Sequence, residues 1–338
     1  MNDKVKEILE QLEDGVKSVF DSEKYKKYLK TMSSFHNYSF NNSLLISMQN
    51  PEATYVAGFT TWKKLKRYVV KGEKGIAILA PCGFNRYIEK DKINPDTKKP
   101  VIDPNTGKVE KVKIPVDANR FRAVYVFDIS QTKGEPLQLN LIEELKGEVK
   151  DYKKFLESLK EATDYKIVFE NIKGNVKGYC NFEKELIAIK EGMDEKHVVK
   201  TAIHEIAHSL LHGKDNKCNN EISRKAAEVQ AESVAYVVCS HYGIETGEYS
   251  FGYIAGWSRD KKTEELKESL SVIQKTSNFI INRVDDAYRE LGLLKDNKTE
   301  EKGGKSLNDL KKQINDYRHN ASPKYAQNVV KKDLTNER

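Results

Sequence analysis

Cysteine is scarce in this chain and never paired. The 338 residues hold four, Cys82, Cys180, Cys218 and Cys239, with no C-x-x-C pair and no close spacing. That excludes a disulfide framework and a cysteine-based zinc site, and it fits a reducing compartment. Long apolar runs are lacking as well. No stretch approaches the roughly 20 residues that span a bilayer, and Asp3, Glu7, Glu10 and Glu13 interrupt the first turns where a signal peptide would carry an uncharged core. The expected location is the cytoplasm, with no membrane association. Charge of one sign is in only modest excess: 58 Lys and Arg against 51 Asp and Glu give +7, so nucleic acid is implied only where basic residues cluster. With 38% hydrophobic and 32% charged residues, the chain is globular and long enough for two domains.

Histidine is also rare, seven in all, yet two of the seven fall in His204-Glu205-Ile206-Ala207-His208. An H-E-x-x-H string arises by chance in roughly one chain in a hundred of this length, so its setting decides its meaning. The segment 196–211 carries Val198, Val199, Ala202, Ile203, Ile206, Leu210 and Leu211 at helical spacing and is closed by Gly213. On that helix His204 and His208 share a face and offer two imidazoles to one ion, while Glu205 points into the same cleft as a candidate base. A third ligand is expected from a second helix over 223–239, where Glu228 and Glu232 lie one turn apart. Nineteen residues separate His208 from Glu228, enough for a loop and an antiparallel return. We therefore take Glu228 as ligand and Glu232 as the group that accepts a proton from a ligating imidazole, although the two roles are interchangeable on spacing alone. Two His and one Glu suit Zn²⁺ with a position open to water, with Mn²⁺ and Fe²⁺ as alternatives. His212, a further turn on, is too far from His204 to share the ion and is read as a partner of the helix dipole. His241 reads as structural.

The first half opens with helical periodicity at Val5, Ile8, Leu9, Leu12, Val16 and Phe20, a second helix over 22–35 and a third over 41–49 that stops at Pro51. The period then shortens to strands at 54–59, 76–80 and 121–129, with a short helix over 61–66 and a hairpin excursion over 86–116. Lys63, Lys64, Lys66, Arg67, Lys71 and Lys74 crowd against a single acid, Glu73, with Phe35, Tyr38, Phe40, Tyr55, Phe59 and Trp62 interleaved. A cationic groove with stackable rings is what a sequence-tolerant single-strand binder needs. Arg67, Lys71, Lys74, Lys63, Lys64 and Tyr38 are the candidate DNA-binding residues.

The wording of this half is itself distinctive. The runs 42–51 (NSLLISMQNP), Gly58-Phe59, Trp62, 70–76 (VKGEKGI) and 126–132 (VFDISQT) together resemble the N-terminal domain of ArdC-type antirestriction proteins and the related LtrC-like proteins. The resemblance spans roughly residues 5–136. It implies single-stranded DNA binding there, followed by a zincin-like metallopeptidase domain similar to the ImmA/IrrE group, in which Glu228 matches the third-ligand position. The HEIAH segment and the helix bearing Glu228 and Glu232 agree with that order.

The expected organisation is an α+β chain: a mixed α/β single-strand-binding domain over 1–136, a linker over 137–150, a zincin-like domain with a small sheet over 151–294, and a polar linker and tail over 295–338. A strand over 165–170 and a hairpin of 176–182 with 186–190 precede the H-E-x-x-H helix, and a long helix over 263–291 follows. Either strand edge is a place for an extended peptide substrate. Tyr253, in the Gly- and aromatic-rich loop expected over 243–257, is a candidate transition-state hydrogen-bond donor. The expected function is single-stranded DNA binding joined to zinc-dependent peptide hydrolysis, in antirestriction or conjugative transfer. The alternatives are a non-enzymatic DNA-coating protein with a structural metal domain, or a regulatory protease acting on a repressor.

Overall fold

The first three helices form where apolar residues recur at helical spacing, and a polar side chain caps the start of the second and third. In α1 (Asp3–Ser18) the buried positions are Val5, Ile8, Leu12 and Val16. The start of α2 (Ser22–Ser34) is capped by the Asp21 carboxylate, which accepts from the Glu23 amide at 3.2 Å. Ser39 does the same for α3 (Phe40–Gln49), accepting from Asn42 N at 3.4 Å. The computed structural model describes residues 3–82, 85–92, 100–102, 107, 109–117, 120–136, 152–213, 223–244, 251 and 254–290. The expected linker and tail lie outside them.

After α3 the chain turns to short strands: β1 (Val56–Gly58), then α4 (Phe59–Lys64), β2 (Arg67–Val69), β3 (Ile76–Cys82), β4 (Asn85–Asp91), β5 (Lys111–Asp117), β6 (Arg120–Asp128) and β7 (Thr132–Gly134). β6 lies between β1 and β3, antiparallel to both; β2 pairs with β7, and β4 with β5 as the expected hairpin. The outer edge of β3 would leave a row of amides and carbonyls unmatched. Helix α3 supplies the partners. Asn42 Nδ2 donates to Leu79 O and its Oδ1 accepts from Leu79 N, each at 2.9 Å. Gln49 repeats the pattern on Ala77, again at 2.9 Å on both sides. Alternate residues of an antiparallel strand present both groups to one edge, so two side-chain amides, seven residues apart on one helix face, stand in for a neighbouring strand.

The turn after β6 is held in a comparable way. The buried Asp128 carboxylate accepts from Thr54 N, Tyr55 N, Ser130 N and Ser130 Oγ at 2.6–3.0 Å. Burial alone would raise its pKa, but these donors outweigh it and hold the acid below its ordinary range. Gln131 then reaches from this turn to Glu73 and to Lys74 O, 2.9 Å each. Trp62 is fully buried and donates to Phe127 O at 2.9 Å.

In the second half, α5 (Tyr152–Lys160) leads to β8 (Lys166–Glu170), β9 (Gly178–Asn181) and β10 (Leu186–Lys190), then α6 (Glu195–His212), α7 (Arg224–His241), α8 (Ile254–Ser258) and α9 (Thr263–Glu290). β10 is central, parallel to β8 and antiparallel to β9, and Ile187, Ala188 and Ile189 are fully buried as a central strand requires. Helix α6 lies across β9 and β10, and α7 packs against α6.

Helix α2 is apolar on more than one face, with Tyr25, Tyr28, Leu29 and Met32 all fully buried, and a helix of that kind must be covered on both sides. One side meets α3, the other α7. Tyr25 Oη and Ser233 Oγ are 2.7 Å apart, and His241 Nδ1 donates to Ser33 O at 2.9 Å. His36 Nδ1 contacts Asn278 Oδ1 on α9 at 2.9 Å, and Gln274 Nε2 donates to the carbonyls of His36 and Tyr38. Buried side chains of both halves thus form one continuous core.

Two outcomes follow. Asn42→Leu strands the amide and carbonyl of Leu79 beneath α3, and we expect a loss of about 2–4 kcal/mol in unfolding free energy, measured by urea denaturation. His36 has its pKa lowered from 6.5 to about 4, first by burial and then by His241. Between those values the unfolded chain binds more protons, so the His36 contribution is complete above pH 6.5 and is lost as pH falls toward 4, on the order of 3 kcal/mol. Asp285, whose pKa burial raises, titrates in the opposite sense. The readout is therefore the difference: His36→Gln should lose less stability than the parent between pH 7 and pH 4.5.

Candidate metal centre

Helix α6 begins at Asp194, whose carboxylate accepts from His197 N at 3.1 Å, and α7 begins at Ser223, accepting from Ala226 N at 3.2 Å. Fully buried residues at helical spacing, Val199, Ala202, Ile203, Ile206 and Ala207 on α6 and Ala231, Val234, Ala235 and Val238 on α7, fix the rotation of both. That rotation turns His204, His208 and Glu228 toward one point. His204 Nε2 and His208 Nε2 are 3.1 Å apart, and Glu228 lies 3.5 Å from the first and 3.7 Å from the second. These ligand atoms all fall within 4.8 Å of one another. A tetrahedral ion with bonds of about 2.0–2.1 Å needs ligand separations of roughly 3.3–3.4 Å, so the triad has the dimensions of such a site. The donor set fits a divalent cation chemically as well, because two nitrogens facing each other this closely repel unless a proton or cation shares their lone pairs.

Each imidazole is backed on its other nitrogen. His204 Nδ1, buried, lies 3.2 Å from Glu232 Oε2, off the N–H axis, and Glu232 Oε1 receives Lys200 Nζ at 3.0 Å. His208 Nδ1 lies 3.1 Å from His212 Nδ1, and His212 Nε2 lies 3.3 Å from Gln230 Oε1. The electrostatics are those of a cation site. Burial would lower the pKa of His204, but Glu228 and Glu232 outweigh it and raise it to about 9. Both imidazoles draw Glu228 well below the usual carboxylate range. Glu232 is lowered too: burial opposes, and His204 and Lys200 prevail. Carboxylates that hold a proton on an imidazole would equally hold a metal ion.

Glu205 is 7% exposed, and burial raises its pKa against the pull of His204 and His208. It sits where α6 meets β9. A Cβ on Gly178 would come within 2.6 Å of Thr201 Cγ2, 2.9 Å of Ala188 O and 3.4 Å of Glu205 Cγ, so only glycine lets the strand close on the helix here. Cys180, two residues on, has its thiol pushed up to about 12 by burial and by Glu205. β9 is also an outer strand of its sheet.

The remaining candidates are dispersed. Tyr253 lies outside the described residues. Lys63, Lys64, Lys71 and Lys74 are exposed. Arg67 is not free to meet a phosphate: its guanidinium donates to Thr132 Oγ1, Thr132 O and Glu135 O at 2.9, 3.1 and 2.5 Å, and lies 5.9 Å from the Trp62 ring. Tyr38 is partly buried against the core, edge-on to Phe35, with its hydroxyl 3.5 Å from Val56 O. Rings that do face outward include Phe59, 58% exposed, and Tyr68, 60% exposed and directly opposite the exposed Lys133 across the β2–β7 pair. Alternation along Arg67-Tyr68-Val69 could have pointed to Tyr68, since Arg67 and Val69 occupy the other face. His212 lies in the last turn of α6, as the helix-dipole reading expects, and its Nδ1 also lies 3.1 Å from His208 Nδ1; its spacing of four from His208 was the signal for that contact.

Residues 2–127 match the family described as the N-terminal domain of anti-restriction factor ArdC. The chain is 29% identical over 339 residues to an uncharacterized Bacillus anthracis protein, pXO2-81, covering 92% of this chain and 56% of that one, so it spans little more than half the length of that relative. Its fold aligns with the metal-free crystal structure of antirestriction protein ArdC from plasmid R388, at a TM-score of 0.46 and 17% identity over 74% of this chain and 85% of that one. With the Mn(II)-bound structure of the same protein the values are 0.42, 16%, 73% and 83%. Residues 2–127 therefore carry a domain of the kind described as the N-terminal domain of anti-restriction factor ArdC.

Proposed function

We propose that this protein joins single-stranded DNA binding in its first half to metal-dependent peptide hydrolysis in its second, in the service of antirestriction or DNA transfer by a mobile element. The convergence of His204, His208 and Glu228 beside the buried Glu205 carries this reading. A divalent cation there, with Zn²⁺ favoured by the nitrogen-rich donors, would acidify water and polarise a carbonyl. The protein's own groups do the rest. Glu205, less acidic than an exposed glutamate, takes the proton of the attacking water and delivers it to the leaving amine nitrogen. The edge of β9, an outer strand of its sheet among the described residues and beside Glu205, can hold an extended peptide by backbone pairing. Glu232 and Lys200 hold His204 in place from behind.

For DNA, the exposed lysines 63, 64, 71 and 74 would follow phosphates while Tyr68, flanked by Lys133, offers a face for a base. A DNA-coating role without turnover is the second reading; the free ring and lysines favour it, and the buried Glu205 does not require it.

Glu205→Gln should retain full metal content by elemental analysis yet lose at least 100-fold in cleavage of a peptide library. Proteolysis at the parental rate would remove Glu205 as base. Glu228→Ala should lose the metal, and the metal bound by the parent decides between Zn²⁺, Mn²⁺ and Fe²⁺. Tyr68→Ala should weaken single-strand binding about 5- to 100-fold, and Lys71→Ala with Lys74→Ala should flatten the salt dependence of affinity. Single-strand affinity equal to the parent's in both variants would move the DNA surface elsewhere.

A further inference from the structure

Acidic residues are missing from one long part of the first half. From Lys24 to Gly72 there is a single acid, Glu52, against eight lysines and Arg67. The chain's 51 acids in 338 residues would place about seven in a stretch of that length. The stretch builds α2, α3, β1, α4 and β2. Its lysines on α4 and in the turn before β3 already belong to the proposed DNA surface, whereas Lys24, Lys26, Lys27 and Lys30 on α2 have no role so far.

Helix α2 places these four together. Tyr25, Tyr28, Leu29, Thr31, Met32 and Ser33 are buried, on the sides that meet α3 and α7. At helical spacing that leaves Glu23, Lys26, Lys27, Lys30 and Ser34 as the exposed strip, with Lys24 at its edge. Among the described residues none of the four lysines makes an ion pair or a side-chain hydrogen bond. Elsewhere lysines pair with an acid one turn away, as Lys4 does with Glu7 and Lys261 with Glu265. Uncompensated cations on one strip attract a polyanion. An anionic membrane would need exposed apolar residues beside the lysines, and the large apolar residues of α2 are all 0% exposed. A nucleic-acid strand needs none. The strip also leads toward the other lysines: the segment after α2 puts the Tyr38 hydroxyl 3.5 Å from Val56 O, at the start of β1, and β1 runs directly into α4.

We propose that Lys26, Lys27 and Lys30, with Lys24, form a second phosphate-binding surface, over which the single strand held by the α4 lysines and Tyr68 continues. This rests on the single-strand reading above. The rings of α2 face inward, so the contacts go to the phosphate backbone and carry no base preference. Tyr25 meets Ser233 and Ser33 meets His241, so α2 and α7 run in the same direction. A strand lying along α2 therefore covers the seam between the two halves of the chain.

The test uses the full chain and a mixed-sequence single strand, with affinity read by fluorescence anisotropy over a salt series. Lys26→Gln, Lys27→Gln and Lys30→Gln together, which keep good helix formers at exposed positions, should weaken binding about 10- to 100-fold near 0.1 M salt. The slope of log affinity against log salt should fall by about 2, at about 0.7 per lost phosphate contact, equally for any base sequence. Removing the same charge from exposed positions of the second half, by Lys153→Gln, Lys166→Gln and Lys184→Gln, should leave affinity close to the parent's. Parental affinity and slope in the α2 variant, or an equal loss in this control, overturns the proposal. The membrane alternative predicts parental DNA affinity with lost binding to phosphatidylserine vesicles. In the parent, bound strand should also protect Lys26, Lys27 and Lys30 from acetylation, read by mass spectrometry. Unprotected lysines there overturn the proposal even where the variant fails to fold. A parent that binds no single strand at low salt defeats the DNA reading itself, whereas a parent that binds beside an unaltered α2 variant defeats only this surface.

Discussion

Two nitrogen lone pairs held 3.1 Å apart on one helix, with a carboxylate closing the triangle, demand positive charge at their centre. Much of the second half can be understood as meeting that demand. Helix α6 supplies the imidazoles because four residues return to the same face. Helix α7 supplies Glu228 and, one turn later, Glu232, which reaches past the triangle to the far side of His204. Lys200 and Gln230 stabilise the two backing groups. Glu205, the proposed base, is buried from the other direction by β9, which approaches closely because Gly178 has no side chain.

The first half depends on a different economy of hydrogen bonds. A three-stranded sheet has two edges, and here one is matched by Asn42 and Gln49 from a helix. Those residues sit in the run 42–51, and Asp128 and Gln131 in the run 126–132, among the segments that resemble the ArdC domain. Their physical role is structural: each satisfies backbone groups that would otherwise be buried unpaired. The outward-facing lysines and Tyr68 lie on different elements, α4, the turn before β3 and the β2–β7 pair.

The two halves meet where α2 enters the space between α3 and α7. Tyr25 contacts Ser233, the neighbour of Glu232, and Ser33 receives His241 from the end of the same helix. The helix that carries the third candidate ligand is thus bonded at two points to the part of the chain that matches the ArdC N-terminal domain.

The positions of α1 to α3, α6, α7 and α9, the hairpin over 86–116, the β9–β10 turn and the H-E-x-x-H spacing were readable from periodicity and turn residues, because these are set by contacts a few residues apart; α8 was not, since its first residues lie in the segment 243–257 that reads as a loop. The pairing of His204 with His208 needed nothing more than helical geometry. Other matters depended on what lies across space. Arg67 reads as a free cation in a basic cluster, yet it is occupied by the hydroxyl and carbonyl of Thr132 in a strand 65 residues later in the chain. Tyr38 reads as a stackable ring, yet its neighbours in the core half-bury it. His212 reads as a helix-end charge alone until α7 brings Gln230 against it. The sequence by itself determined which side chains share a helix face, since that follows from 3.6 residues per turn. Only the tertiary structure decided which of them gain a partner, because a hydrogen bond across elements depends on how two surfaces meet, and no local spacing encodes that.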